Sequence, residues 1–341
     1  MRVELPLCRG NVDALVALRE GVDPAVLVDE GPRAAQEAAP QITAISIFLV
    51  GARGEIALEA DRSGEVIRPP RLHRSSRSEA LRLLDEGAVA SFIGATADGT
   101  AHIAISTDPG RSADRPADRD RAPSRTWAHL RWCGHLLDPD ESALAVSGVA
   151  LAAWHASYRF CSRCASPVRP VNAGWASLCE GCGALEFPRH DPAIIVLVID
   201  GEDRALLAHN TGWAGVFAST IAGFVEAGES PDLAVAREVM EEVGIAIRDL
   251  EYVGTQPWPF PRSQMLGYTA RTVEHAPVPA PDGVEIAWAS FYSRDELARA
   301  IAAGELEPPG RASIAYAMLR EWYGGELPLP PDAADPLRPP A

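Results

Sequence analysis

Between Gly223 and Ile245 the chain reads GFVEAGESPDLAVAREVMEEVGI, and three of its acids, Glu238, Glu241 and Glu242, have helical spacing. Ser230-Pro231-Asp232 has the form of a helix start, a side-chain cap followed by proline at the first helical position, and Gly244 stands where a helix should end. At about 100° per residue the three carboxylates fall within a sector of roughly 100°, with Leu233, Ala236, Val239, Met240 and Val243 on the other side. The spacing therefore predicts a helix that packs its apolar side and presents an acidic one. Like charges one turn apart repel. One reading is a solvated acidic face. The other is a site where hard divalent cations neutralise the acids, Mg2+ being held by a few carboxylates together with substrate phosphate oxygens.

A second set of residues points to a different metal. Phe160-Cys161-Ser162-Arg163-Cys164 is followed, after fourteen residues, by Cys179-Glu180-Gly181-Cys182-Gly183. Two C-x-x-C turns present four thiolates to one point, which suits tetrahedral Zn2+ with no position left open for water, so the implied ion is structural, one per chain. A redox dithiol or unliganded thiols are the alternatives. Pro167, Pro170 and Gly174 supply turns to bring the pairs together. Cys8 and Cys133 have no partner in sequence and read as apolar packing.

Ten residues past Ile245 lies Thr255-Gln256-Pro257-Trp258-Pro259-Phe260-Pro261-Arg262-Ser263. Three prolines stiffen this segment, and two aromatic rings and an amide suit a wall for a nucleotide, or else a proline-rich structural loop.

Taken together, Gly223, Glu229, Arg237-Glu238, Val239, Glu241-Glu242, Gly244 and Ile245 resemble the Nudix box at every defined position. With the two C-x-x-C pairs and the Gln256–Ser263 array, residues 131 to 323 resemble the NADH pyrophosphatase branch of the Nudix hydrolases. Trp154-His155, Phe187-Pro188-Arg189, Asp191-Pro192-Ala193 and Ser313-Ile314-Ala315 fit the same branch, while Thr255 replaces a serine and Phe187 a tyrosine. The resemblance implies hydrolysis of the diphosphate of NAD(H) to NMN(H) and AMP. Mg2+ or Mn2+ would be held by Glu238, Glu241, Glu242 and the distant Glu285. Arg237 is expected to pair with Glu229, and the substrate is expected to meet Phe187, Ala222, Phe224, Gln256, Trp258, Phe260, Ser263 and Glu285. Phe187 and Phe224 would stack on a base. The resemblance also implies a homodimer and allows removal of NAD caps from RNA 5′ ends, with Arg159, Arg163 and Arg169 as a local basic patch. A broader nucleoside diphosphate hydrolase, acting on ADP-ribose, diadenosine polyphosphates or FAD, is the main rival. A non-catalytic nucleotide-binding protein using the ribbon for docking is the second.

The elements that must position these residues follow from patterning. Strand-like runs span 193–200, 205–209 and 219–222, then the acidic helix, then strands near 252–255, 267–273 and 288–292, with helices over 294–303 and 311–322. Upstream, runs 45–50 and 55–58 about Gly51-Ala52-Arg53-Gly54 predict a hairpin, Ser78 to Gly87 a helix, and Asp138-Pro139-Asp140-Glu141 the start of a helix reaching about His155. The expected architecture is α+β. It comprises an N-terminal mixed α/β domain over 1–157, a zinc ribbon over 158–186, a Nudix α/β/α sandwich over 187–325 and a disordered tail over 326–341. A mobile loop is expected over 106–125, where Pro, Asp and Arg dominate.

The whole composition narrows the function classes. Among 341 residues, 31 basic against 47 acidic ones give a net charge of −16, which opposes non-specific gripping of nucleic-acid phosphate or anionic lipid, so DNA and membranes are not expected partners. Every basic residue other than histidine is arginine, which removes Schiff-base and lysine-base chemistry. The longest apolar run, Ala193 to Ile199, is far short of the roughly 20 residues needed to span a bilayer, and the opening MRVELPLCRGNVD carries charge where a signal peptide is apolar. A cytoplasmic location is the expectation.

Overall fold

Asp138 accepts a hydrogen bond from the N–H of Asp140 at 3.0 Å, and Ser230 from that of Leu233 at 3.4 Å. Both expected helices thus begin where a side-chain cap precedes proline, which has no N–H to leave unpaired. The computed structural model describes residues 3–16, 19, 21–34, 39–61, 63–107, 125–331, 335 and 337. Residues 108–124, most of the expected mobile loop, lie outside the described residues.

The chain forms two units. One comprises Leu7–Arg189 with Pro259–Arg262 and Pro336–Ala341. It contains α1 (Pro24–Glu30), β1 (Ala44–Val50), β2 (Glu55–Glu59), α2 (Arg77–Asp85), β3 (Val89–Ala95), β4 (Thr100–Ser106), β5 (Arg125–His129), α3 (Leu130–Cys133) and α4 (Pro139–Ser157). β1 and β2 are the expected antiparallel hairpin, set in a five-stranded sheet of order β3-β4-β1-β2-β5 in which β1 and β4 run parallel. Gly148 lets α4 approach this sheet closely, since a Cβ there would lie 3.1 Å from the Phe48 ring and 3.2 Å from Ala104. The ribbon belongs to the same unit, with β6 (Val168–Val171), β7 (Ala176–Cys179) and β8 (Leu185–Glu186) forming a small antiparallel sheet. Pro170 sits within β6; the turn is made by Asn172–Gly174, where Gly174 takes φ 92°.

The other unit comprises Met1–Pro6, His190–Trp258 and Ser263–Asp335. Its strands are β9 (Asp191–Ile199), β10 (Ala205–Asn210), β11 (Ile221–Phe224), β12 (Ile247–Trp258), β13 (Ser263–Thr272) and β14 (Ile286–Tyr292). Its helices are α5 (Pro231–Val243), α6 (Arg294–Ala302) and α7 (Ile314–Tyr323). The sheet order is β12-β13-β9-β10-β14, with β13 parallel to β9 and β11 antiparallel to it. β9 is buried on both sides, as its unbroken apolar run requires: Ile195 and Leu197 pack with α6 and α7, while Ile194, Val196 and Val198 pack with α5. This is the expected α/β/α sandwich. The chain past Gly325, expected as a disordered tail, begins with two anchored residues: Leu327 is buried beside α7, and Glu326 accepts from the Tyr316 hydroxyl at 2.9 Å.

Candidate active site

The acidic helix α5 is turned differently from the expectation. Its buried positions are Ala234, Val235, Glu238, Val239, Glu242 and Val243, whereas Leu233 and Met240 are 64% and 48% exposed and Ala236 is exposed too. Two glutamates therefore face inward and part of the apolar stripe faces out. The reason is local. Gly223 of β11 lies under the helix, and a Cβ on it would come within 2.1 Å of Cδ of Glu238. The bare glycine opens a slot for a carboxylate beside the sheet, and the small Ala234 and Val235 hold the helix close. Ser230 caps the helix start, and Gly244 ends it in the left-handed conformation at φ 67°.

Arg237 organises the carboxylates. Its Nε and Nη2 donate to the two oxygens of Glu229, each at 2.8 Å, in a bidentate fork, and Nη2 also donates to the carbonyl of Phe224 at 3.0 Å. The expected Arg237–Glu229 pair is thus present, and it holds Glu229 down to about 2. Arg237 also does more than expected: Nη1 donates to Glu238 at 2.8 Å and to Glu241 at 3.0 Å. Glu242 is different. It is 4% exposed, its Oε2 is buried without a hydrogen-bond partner among the described residues, and its carboxyl is pushed up to about 8 by burial and then by Glu285, Glu238, Asp282 and Glu241. Burial raises Glu238 as well. Buried like charges with an orphaned oxygen are unfavourable unless a cation joins them. The donor set, all carboxylate oxygen, fits Mg2+ or Mn2+.

Glu285 is brought to this cluster by a loop that hangs from the helix end. The N–H groups of Ala280 and Asp282 donate to the carbonyls of Val243 and Glu242 at 2.9 and 3.2 Å. The Asp282 carboxylate then accepts from the N–H groups of Val284, Glu285 and Ile286 at distances from 2.9 to 3.2 Å, and these bonds keep it below the usual carboxylate range. Thr211 closes the loop from β10, its N–H donating to the Glu285 carbonyl and its hydroxyl to that of Val284, both at 2.8 Å. Asp282 and Thr211 were not singled out in the sequence, although Pro281-Asp282-Gly283 is a turn signature.

The Gln256–Ser263 array is the end of the β12–β13 hairpin, with Trp258 paired to Ser263. Gln256 is fully buried and donates its side-chain N–H to the carbonyl of Ala312 at 3.0 Å. Phe260, in the tip that belongs to the first unit, packs its ring 5.1 Å from that of His129, with the Arg131 guanidinium 5.2 Å over it. Phe224 and Phe187 are 60% and 59% exposed, each in a different unit, and Ala222 is half-buried.

Among the described residues, Cys161, Cys164, Cys179 and Cys182 are the group of metal-capable side chains whose ligand atoms all lie within 4.8 Å of one another. Sγ of Cys161 lies 3.7 Å from that of Cys182, and Cys164 3.4 Å from Cys179. Four sulfurs at about 2.3 Å from one Zn2+ would stand roughly 3.8 Å apart, so the cage fits the ion. The N–H groups of Arg163 and Cys182 point at the sulfurs of Cys161 and Cys179 at 3.4 Å, which stabilises thiolates.

Residues 189–322 match the NUDIX domain, and residues 156–187 the NADH pyrophosphatase zinc ribbon domain. The protein named NAD-capped RNA hydrolase NudC from Mycobacterium bovis is 44% identical over 205 residues, which cover 58% of this chain and 65% of that protein. The protein of the same name from Stutzerimonas stutzeri is 37% identical over 217 residues, covering 64% of this chain and 74% of its own. A crystal structure of a NUDIX hydrolase from Nitrosomonas europaea aligns with 50% of this chain and 95% of its own at 19% identity and a TM-score of 0.38. The chain belongs to the Nudix hydrolase family. Its match spans 65% of the length of the mycobacterial relatives.

Proposed function

We propose that this protein is a divalent-metal-dependent diphosphatase that splits NAD(H) into NMN(H) and AMP and, by breaking the same bond, removes NAD caps from RNA 5′ ends. The observation that carries this reading is Glu242, a buried carboxylate whose Oε2 has no hydrogen-bond partner among the described residues and which stands near Glu238, Glu241 and Glu285. It stands in a chain similar, over 205 to 217 residues, to proteins named NAD-capped RNA hydrolase NudC.

In this reading Glu238, Glu241, Glu242 and Glu285 would hold Mg2+ or Mn2+, which would supply neutralisation of phosphoryl charge and a lowered pKa for water. Water attacks one phosphorus, the bridging P–O bond breaks, and a carboxylate of the cluster takes the water proton. Arg237 keeps Glu229 out of this set and fixes the loop before α5 through the carbonyl of Phe224. The exposed Phe224 ring supplies a stacking face for one base. Gln256, buried on Ala312, shapes the hairpin that carries Trp258 and Ser263. A homodimer follows from the family resemblance. A cytoplasmic location is in keeping with the metal-type cysteine spacing, and no described helix is long and apolar enough to cross a membrane.

Product analysis tests the reading. Purified protein with Mg2+ or Mn2+ is given NADH, NAD, ADP-ribose and FAD separately, alongside the Glu242→Gln variant. AMP and the reduced mononucleotide, fastest from NADH and nearly absent with the variant, are expected. Fastest turnover of ADP-ribose or FAD would move the assignment to a broader hydrolase. No turnover by folded, zinc-loaded protein would favour a nucleotide-binding protein.

A further inference from the structure

Trp213 and Trp288 have no part in the roles described so far. His209, near the end of β10, stacks on Trp288 of β14 with ring centroids 5.7 Å apart and planes at 6°, and meets Trp213 edge-on at 6.1 Å and 80°. Trp213 meets Phe217 edge-on at 4.6 Å. His209 donates from Nδ1 to the carbonyl of Phe217 at 2.6 Å, since a carbonyl only accepts. That bond pins the loop after β10 against its own strand. The result is a fixed aromatic wall that is not closed off, because Trp213 keeps 39% of its surface exposed and its neighbour Val216 42%.

The wall is tied to the carboxylate cluster and lies on the side of the sheet where the substrate's bases are expected. Thr211, two residues before Trp213, holds the backbone of Val284 and Glu285, and Trp288 follows Glu285 by three residues. Side chains alternate along the strands, so Ala222 and Trp288 pack with the core under α6 and α7, whereas Ile221, Ala208 and Ala289 pack with α5. By the same alternation Phe224 shares the face of Trp288. Ser219 pairs with Ala208, next to His209, and five further residues of extended chain at about 3.3 Å each put Phe224 roughly 16 Å along.

A dinucleotide has a base at each end of its diphosphate, and the exposed Phe224 ring offers a face to one of them. We propose that Trp213 and Trp288 form a second stacking surface, which takes the base at the opposite end of the diphosphate from the one on Phe224. This rests on the diphosphatase reading and adds where the second nucleoside lies. An indole needs only a flat π face on its partner, so nicotinamide and adenine are both suitable occupants.

Kinetics with NADH and with ADP-ribose, which lacks the nicotinamide, test it in Trp213→Ala, Trp288→Ala and Trp213→Phe. Loss of a base stack should raise KM for NADH roughly 10-fold or more in the alanine variants with kcat changed much less, and Trp213→Phe should recover most of the loss. If KM for ADP-ribose stays unchanged, nicotinamide occupies the wall; if it rises equally, adenine does. NADH KM within twofold of wild type in both alanine variants overturns the proposal, as does a phenylalanine variant no better than alanine. Equilibrium binding of NAD to Glu242→Gln protein, with and without Trp213→Ala, reads the same surface without turnover. Protein that fails to hydrolyse NADH but loses NAD affinity with Trp213→Ala would sink the diphosphatase reading and keep the wall. Unchanged affinity would sink the wall.

Discussion

The N–H of Asp282 donates to the carbonyl of Glu242 at 3.2 Å, so the loop that carries Glu285 is suspended from the last turn of the glutamate helix. Two groups far apart in sequence, Glu242 and Glu285, thereby share one frame. The Asp282 carboxylate locks that frame by accepting from three consecutive N–H groups. Asp282→Ala should leave those donors without an acceptor and let Glu285 drift. We expect kcat for the diphosphatase reaction to fall roughly 10- to 100-fold and the Mn2+ concentration for half-activation to rise, as when the supporting shell of a metal site is lost. Asp282→Asn, which keeps an accepting oxygen, should recover part of both. Unchanged Mn2+ activation in the alanine variant would mean that the loop is held by other means.

Gly223→Ala probes the slot beneath α5. The new methyl would stand 2.1 Å from Cδ of Glu238 and 2.2 Å from its Oε1, and Arg237 pins that carboxylate from the other side. The backbone at Gly223 is ordinary strand, so alanine adds no conformational strain of its own. Activity should drop about 10- to 100-fold while the thermal midpoint moves by only a few degrees. Wild-type activity in Gly223→Ala would show that Glu238 can be displaced without harm.

The sequence made the glutamate helix legible in extent, caps and chemistry, but not in orientation. A helical wheel assumes that the apolar stripe goes inward, and for Leu233, Ala236 and Met240 it does not. Glu238 and Glu242 take the inward positions because a metal-type site needs its carboxylates beside the sheet, and local patterning fails where function overrides it. The zinc ribbon was legible because C-x-x-C spacing is itself the geometry. Asp282, Thr211 and the His209–Trp288 stack were not, since each depends on which strands become neighbours. Gln256 illustrates the same limit: an amide in a nucleotide-like array is fully buried on Ala312.

Cys161→Ser should separate structure from chemistry in the ribbon. Its sulfur lies 3.7 Å from that of Cys182 within a closed four-sulfur cage, so zinc content should fall and the ribbon-bearing unit should lose several kcal/mol, roughly 5–10 °C in midpoint. Turnover per folded molecule should change by less than about threefold, because a closed cage offers no position to substrate. Calorimetry alongside zinc analysis checks this. Full stability with lost zinc would remove the structural role.

His102 should make the N-terminal unit acid-sensitive. Burial, and then the nearby Arg74 charge, lower its pKa from 6.5 to about 4, while Asp98 and Asp140 oppose the shift. Its Nε2 lies 3.0 Å from the Thr96 hydroxyl, and its Nδ1 is buried with no partner among the described residues. The unfolded chain therefore binds this proton below pH about 6.5, whereas the folded chain resists it until about 4. Stability from this group is complete above 6.5 and drains away as the pH falls. Between pH 7 and 4.5 the loss amounts to about 2 to 3 kcal/mol. His102→Gln, which retains a polar end for Thr96 and cannot titrate, should show correspondingly less acid destabilisation in urea unfolding at the two pH values. Parallel losses in the two proteins would place the acid sensitivity on other groups.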